Sequence, residues 1–129
     1  MKPEPSKKIL IVDDEAHIRL LIQQTLEDLE DEGIEILSAD NGTDAIQLAK
    51  QAAPQLIFLD VMMPNMDGLQ VCQAIRQDLA MKEAYVVILT AKGQSYDRQK
   101  SLDAGANRYI TKPFDPDELL ELANSVLFN

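Results

Sequence analysis

The sequence predicts an α/β fold in which a parallel sheet is covered by helices on both faces. Short runs that are apolar at every position alternate with longer stretches whose apolar residues recur at helical spacing. Continuous apolar runs are typical of strands that are covered on both faces of a parallel sheet. The strand–helix unit repeats five times with short connections, which favours right-handed crossovers and a doubly wound, five-stranded sheet.

Three runs predict central strands, and two weaker runs predict edge strands. The continuous runs are ILIV (9–12), LIFL (56–59) and YVVIL (85–89). The weaker runs, IEIL (34–37) and RYIT (108–111), include charged or polar residues, which an edge position tolerates because it is less covered.

Helical stripes fill the connections between these runs. Their apolar residues are Ile18, Leu21, Ile22, Leu26 and Leu29; Ala45, Ala49 and Ala52; Leu69, Cys72, Ile75 and Leu79; and Leu119, Leu122, Ala123 and Val126. Segment 94–104 is also predicted to be helical, with a thin apolar face and Gly105 as a left-handed cap. The last helix is predicted to begin at Asp115 as N-cap, with Pro116 at its first position and Glu118 completing a capping box.

The 129 residues are enough for one domain, which we expect to span 7–129 after a disordered lead-in over 1–6. No apolar run is long enough to span a membrane, and the N-terminus lacks the apolar stretch of a signal peptide. A single cysteine, Cys72, favours a reducing, cytoplasmic location. The net charge of −10 disfavours direct binding to nucleic acid or to an anionic membrane, so the expected partners are proteins and small ions.

Chemically active side chains follow the predicted strands. In doubly wound sheets the functional crevice lies at the carboxyl ends of the strands. If the first and third strands are neighbours, the acids that follow them converge in one pocket. The residues at these ends are Asp13, Asp14 and Glu15 after the first strand, Asp60 after the third, Thr90 and Ala91 after the fourth, and Lys112 and Pro113 after the fifth.

Converging carboxylates predict a bound cation, because their mutual repulsion makes it energetically unfavourable for all of them to stay ionised without a compensating positive charge. Mg²⁺ is usually held by one or two carboxylates with water and phosphate. Lys112 adds a point charge for a phosphate oxygen, and Thr90 adds a hydroxyl, so the set predicts a phosphoryl-transfer site with an aspartate nucleophile. Asp60 is the predicted nucleophile because it stands alone after the most apolar strand, whereas Asp13 and Asp14 are adjacent and suit direct and water-mediated metal binding.

Four segments carry a family resemblance: ILIVDDE, LDVMMPNMDG, ILTAKG and GANRYITKPF, in this order and at family-like spacing. With them the chain resembles, from about residue 7 to its C-terminus, the receiver domains of response regulators in bacterial two-component signalling. The resemblance implies a flavodoxin-like fold with strand order 2-1-3-4-5 and five helices. It also implies that a histidine kinase or phosphotransfer protein phosphorylates Asp60, with Mg²⁺ or Mn²⁺ as cofactor.

The resemblance implies roles for individual residues as well. Phosphorylation would draw Thr90 inward, let Tyr109 turn into the vacated space and change the 94–128 surface for partner binding. The thin apolar face of 94–104 makes such a shift inexpensive. The implied metal ligands are Asp14, Asp60 and the backbone carbonyl of Met62, with Asp13 acting through water; the switch and phosphate-binding positions are Thr90, Ala91, Tyr109 and Lys112; structural roles fall to Gly68, Gly105 and Pro113, with a cis bond before the proline.

Other classes fit less well. A phosphohydrolase of the haloacid-dehalogenase type needs a second carboxylate two residues after its nucleophile, where this chain has Met62. Nucleotide binding needs a glycine-rich loop that follows none of the strands, and a binding module without the chemistry would not need Asp14, Asp60, Thr90 and Lys112. We therefore expect a signalling acceptor that catalyses only its own phosphorylation and dephosphorylation, not a turnover enzyme. It is either a stand-alone receiver or part of a longer regulator or hybrid kinase.

Overall fold

A computed structural model describes residues 7–79, 81–91 and 96–128 of the chain. The predicted lead-in (1–6) and the first two residues of the predicted helical segment 94–104 lie outside these ranges. In chain order the elements are β1 (Lys8–Val12), α1 (Ala16–Thr25), α2 (Glu27–Glu30), β2 (Glu35–Ala39), α3 (Gly42–Ala52), β3 (Leu56–Asp60), α4 (Gly68–Gln77), β4 (Tyr85–Ala91), α5 (Tyr96–Asp103), β5 (Arg108–Lys112) and α6 (Pro116–Phe128).

The five strands form one parallel sheet in the order β2-β1-β3-β4-β5. This confirms the predicted doubly wound, flavodoxin-like fold and its strand order. β1 and β3 are direct neighbours, with Ile9 opposite Leu56 and Val12 opposite Leu59. The residues that follow or end these two strands are therefore brought to the same edge of the sheet.

Burial follows the distinction between central and edge strands. Every residue of β3 is buried, whereas the edge strands β2 and β5 each contain exposed residues. Alternate residues of the central strands contribute to two hydrophobic clusters, one on each face of the sheet. Leu10 and Ile57 belong to the cluster that includes residues of α3 and α4, while Ile9 and Phe58 belong to the cluster that includes residues of α1 and α6. Runs that are apolar at every position are thus explained by burial on both faces.

The first predicted helical stripe is divided between two helices. The chain leaves α1 at Leu26, and the short helix α2 follows it, so the described residues contain a helix in addition to the five predicted. Ile22, Leu26 and Leu29 are buried as expected, but Leu21 is 41% exposed. Successive helical residues are about 100° apart, so the orientation that buries Ile22 turns Leu21 toward solvent.

The carboxyl end of α5 closes with hydrogen bonds that satisfy its last carbonyl groups. Gly105 has φ +101°, and its N–H donates to the carbonyl of Leu102 at 3.0 Å. The N–H of Ala106 donates to the carbonyl of Ser101, also at 3.0 Å. These two bonds form a Schellman motif, in which glycine is favoured because the left-handed conformation costs it little.

At the other end of the last strand, Asp115 and Glu118 precede and open α6. The Asp115 carboxylate accepts a hydrogen bond from the N–H of Asp117 at 3.0 Å. Glu118, the predicted partner in a capping box, has its carboxylate 3.5 Å from the Arg108 guanidinium. The start of α6 is thus linked both to its own first turn and to the neighbouring strand β5.

Arg76, in the last turn of α4, connects three segments of the chain. Its Nε donates to the carbonyl of Gly105 at 2.9 Å, and its Nη1 to the carbonyl of Met81 at 2.7 Å. Its Nη2 donates to the Asn107 side-chain oxygen at 2.6 Å, which also accepts the N–H of Val86 at 2.8 Å. We call this set of five residues the Arg76 clamp. It fixes the α5–β5 turn to α4 and to the entry of β4.

Cys72 is a fully buried thiol in α4. Burial raises its pKa to about 11, although the nearby charge of Arg76 acts in the opposite direction. Since the thiolate is the reactive species, an aromatic disulfide reagent at pH 8 should leave the native thiol unmodified and label it fully in guanidinium chloride. Rapid stoichiometric labelling of the native protein would show that the thiol is accessible.

Among the described residues, no helix combines the length and the apolar character that a membrane crossing requires.

Candidate functional site

The predicted site residues lie at the carboxyl edge of the sheet. Asp60 is the last residue of β3, Thr90 and Ala91 are the last two of β4, and Lys112 is the last of β5. The strands extend beyond their apolar runs because backbone pairing continues, with Asp60 opposite Leu89 and Ala91 opposite Lys112. The side chains of Asp60, Thr90 and Lys112 are therefore positioned by the sheet and not by flexible loops.

Lys112 lies between two buried carboxylates. Its Nζ donates to Asp13 Oδ2 at 2.8 Å and to Asp60 Oδ1 at 3.2 Å. Asp13 is fully buried and Asp60 is 3% exposed, so both carboxylates have lost most of their hydration. Residues separated by 52 and 99 positions in the chain thus meet in one ionic cluster.

The Asp60 carboxylate is electrostatically unsatisfied in this cluster. The pKa of Asp60 is raised from 3.8 to about 6, mainly by burial and to a smaller extent by repulsion from Asp13. The charge and hydrogen bond of Lys112 and a hydrogen bond from the Met62 backbone act in the opposite direction without cancelling the rise. For Lys112, burial acts to lower the pKa, but the hydrogen bond with Asp13 and the charge of Asp60 outweigh it, so the pKa is raised and the lysine is protonated. One ammonium group therefore faces two carboxylates.

A second acidic group borders this cluster. Asp13, Asp14 and Glu15 each offer a carboxylate oxygen, and these oxygens lie within 4.8 Å of one another. Asp14 and Glu15 are exposed, so waters have access to the group. Oxygen donors with open positions for water suit a hard divalent cation. A cation is also favoured because the two carboxylates of Asp13 and Asp60 share the single positive charge of Lys112. The residues present therefore fit such an ion. Glu15 was not predicted among its ligands.

Four contacts determine the conformation of Asp13. Its Oδ1 accepts the N–H of Glu15 at 2.9 Å, while Oδ2 accepts from Lys112. Its N–H donates to the carbonyl of Ala39 at 3.2 Å, and its own carbonyl accepts from Nη1 of Arg19 at 2.7 Å. Sequence reasoning missed Arg19, since a side chain that bonds a backbone carbonyl leaves no periodic or charge-pairing signal.

Thr90 and Tyr109 lie on the same face of the sheet on adjacent strands. Thr90 is opposite Thr111, and Tyr109 is opposite Ile88, two residues earlier on each strand. Side chains two residues apart on a strand share a face. Thr90 is fully buried and Tyr109 is partly buried.

The turn after β3 contacts the backbone of Asp60 directly. A Cβ atom on Gly68 would lie 2.2 Å from the Asp60 carbonyl oxygen, which only glycine avoids. Asp67 and Gln70 form a reciprocal capping box at the start of α4, with bonds of 2.9 and 3.0 Å. The side chain of Met62 is 58% exposed. Beyond Lys112, the bond to Pro113 is cis.

Comparisons with known proteins identify the family of the chain. The family model for the response regulator receiver domain matches residues 9–124. The alkaline phosphatase synthesis transcriptional regulatory protein PhoP of Bacillus subtilis is 40% identical over 122 residues, which cover 95% of this chain and 49% of that protein. The transcriptional regulatory protein ResD, from the same organism, is 42% identical over 93% of this chain and 48% of its own length.

Solved structures give the same result. The chemotaxis protein CheY4 of Vibrio cholerae superposes with a TM-score of 0.82 at 33% identity, covering 95% of this chain and 99% of that one. A putative response regulator from Chloroflexus aurantiacus gives 0.84 at 31% identity, covering 96% and 99%. This chain spans about half the length of the curated relatives it matches. It belongs to the response regulator receiver domains of two-component signalling.

Proposed function

We propose that the chain is the phosphoacceptor of a two-component phosphorelay and that Asp60 receives the phosphoryl group from a histidine kinase or phosphotransfer protein. The observation that carries this proposal is the buried Asp60 carboxylate at the tip of β3, 3.2 Å from the Lys112 ammonium. An Asp60 oxygen forms a bond to phosphorus while the bond from phosphorus to the donor's histidine nitrogen breaks, leaving the electron pair on that nitrogen. Lys112 binds a phosphoryl oxygen as a point charge.

A divalent cation, Mg²⁺ or Mn²⁺, belongs to the proposal. Asp13, Asp14, Asp60 and the backbone carbonyl of Met62 would hold it, with Asp13 acting through water. When bound, the ion offsets charge on the phosphoryl oxygens. The grouping of the Asp13 and Asp14 oxygens supports these two ligands, and the raised pKa of the buried Asp60 carboxylate supports a cation beside it.

The proposed output is a change of the 94–128 surface. A phosphoryl group on Asp60 adds charge and strong acceptor oxygens, and Thr90 donates its hydroxyl to one of them by moving inward, after which Tyr109 fills the vacated space. Inverting a two-state population needs about 5 kcal/mol, and charge-assisted hydrogen bonds of about 1.5–3 kcal/mol each supply it.

The domain is proposed to act through protein contacts in the cytoplasm. Its net charge of −10 disfavours direct binding to DNA, although the names of the two Bacillus relatives describe transcriptional regulation. A single free thiol supports a reducing location. The chemistry is limited to the protein's own phosphorylation and dephosphorylation, so it is not a turnover enzyme.

Intact-mass measurement after incubation with acetyl phosphate and Mg²⁺ tests the proposal. Wild type should gain one phosphoryl group, and Asp60→Ala should gain none because it lacks the nucleophile. Asp28→Ala removes an exposed carboxylate outside the site and should behave as wild type, while EDTA should abolish the reaction. Equal labelling of Asp60→Ala would place the acceptor elsewhere. Thr90→Ala should still be phosphorylated but lose the change in amide exchange over 96–112.

A further inference from the structure

Arg19, in the first turns of α1, makes a contact that the proposed chemistry does not use. Its Nη1 donates to the backbone carbonyl of Asp13 at 2.7 Å. Its own N–H donates to the carbonyl of Glu15 at 3.2 Å, so the arginine is fixed to the helix start that follows the acidic group. The side chain thus spans from α1 back to the end of β1.

The contact fixes more than one atom. The carbonyl of Asp13 belongs to the rigid plane of the Asp13–Asp14 peptide. Holding its oxygen also places the nitrogen and Cα of Asp14, the atoms from which the exposed Asp14 side chain extends. The N–H of Asp13 is held separately by Ala39. Arg19 therefore holds the peptide group that joins Asp13 to Asp14, whereas Ala39 holds the N–H of Asp13.

Charge reinforces this role. The guanidinium is permanently protonated, and it bonds the backbone within an acidic group whose carboxylate oxygens lie within 4.8 Å of one another. A hydrogen bond from a charged donor is stronger and shorter than one from a neutral donor. Arg19 also borders an open cleft of about 500 Å³ with Ser38, Asp40 and Gln47, so its truncation leaves no cavity in the hydrophobic core.

We propose that Arg19 is a positioning residue of the phosphoryl-transfer site. By holding the Asp13 carbonyl, it sets the relative placement of the Asp13 and Asp14 carboxylates and so the affinity for the divalent cation. The inference rests on the proposed function, because it concerns the same site. Residues that orient metal ligands typically change metal affinity by about 10–100-fold when mutated, and we expect this range for Arg19→Ala.

Calorimetric titration of the full chain with Mg²⁺ tests the inference without measuring phosphorylation. Arg19→Ala should weaken Mg²⁺ binding about 10–100-fold. Arg19→Lys keeps the positive charge and a donor group at the end of a long side chain and should be intermediate, while the shorter, neutral side chain of Arg19→Gln should resemble alanine. The matched control is Arg108→Ala, which removes one arginine from an exposed ion pair with Glu118 outside the site and should bind as wild type.

A second measurement separates positioning from general damage. Phosphorylation of Arg19→Ala by acetyl phosphate should return close to the wild-type rate when Mg²⁺ is raised well above the variant's own Kd, since the nucleophile and Lys112 are intact. Mg²⁺ affinities of all three Arg19 variants equal to that of Arg108→Ala would overturn the inference while the proposed function stands. Wild type that neither binds Mg²⁺ nor becomes phosphorylated would overturn both. If Arg19→Ala does not fold, the difference between the lysine and glutamine variants decides.

Discussion

Gly68→Ala should destabilise the domain by about 3 kcal/mol or more, near the upper end of the range for overpacking in a close-packed region. The new Cβ would lie 2.2 Å from the Asp60 carbonyl oxygen, 2.8 Å from its carbon and 3.0 Å from the Val61 Cα. All three are backbone atoms, so no side-chain rotation relieves the collision. Moving them would disturb the bonds from Val61 N–H to the Leu89 carbonyl and from Gly68 N–H to the Val61 carbonyl, each 3.0 Å.

Chemical denaturation of wild type and variant measures this loss, and Gly33→Ala is the matched control. Gly33 has φ +91° and nothing within 4 Å of an added Cβ, so its substitution reports backbone strain without collision and should cost about 1–2 kcal/mol. Gly68→Ala that is no less stable than Gly33→Ala would mean that the turn after β3 is loosely packed against Asp60.

Asp60→Asn should stabilise the metal-free protein at neutral pH. The pKa of Asp60 is about 6 in the folded chain and 3.8 as the unperturbed reference, which corresponds to an ionisation penalty of about 3 kcal/mol above pH 6. Asparagine keeps the shape without the charge, although it loses the ion pair with Lys112. We therefore expect a gain of about 2–3 kcal/mol at pH 7–8 in EDTA, measured by denaturation.

The pH dependence has a definite sign. Between about pH 3.8 and 6 the folded Asp60 binds more protons than the unfolded one, so its contribution to stability falls as pH rises through this window and is constant above it. The advantage of Asp60→Asn should consequently vanish near pH 4 and reach its full value above pH 7. Asp28→Asn, at an exposed position, should change stability by less than about 0.5 kcal/mol. An advantage of Asp60→Asn that does not vary with pH would show that ionisation is not its cause.

The periodicity of apolar residues predicted most of the fold. The residues that follow the strands predicted that the main candidate site residues lie at one edge of the sheet. The runs around Ile9, Phe58 and Val87 are apolar throughout because a hydrophobic cluster covers each face of the sheet, which is why the central strands were identifiable. The strand order came from family resemblance, since periodicity does not specify which strands pair. The meeting of Asp13 and Asp60 at Lys112 then followed from β1 and β3 being neighbours.

The features that sequence reasoning missed are contacts between a side chain and a distant or local backbone group. Arg19 and Arg76 donate hydrogen bonds to backbone carbonyl oxygens. Every residue type has a backbone carbonyl, so these partners cannot be recognised from the sequence. The short helix α2 was missed because Leu26 and Leu29 continue the buried stripe of α1 across the break. The pattern of buried residues continues through Leu26 and Leu29, although α1 ends at Thr25 and a separate helix begins at Glu27.

The Arg76 clamp gives the α5 helix a direction of response. Its carboxyl end is immobilised by Gly105 and Asn107 against α4 and β4. Its amino end begins at Tyr96, a few residues after the strand that carries Thr90. Because that end is held, we expect a displacement that starts at the tip of β4 to be largest at Tyr96 and to decay toward Gly105. A residue outside the proposed phosphoryl-transfer chemistry would therefore determine which part of the α5 surface moves most.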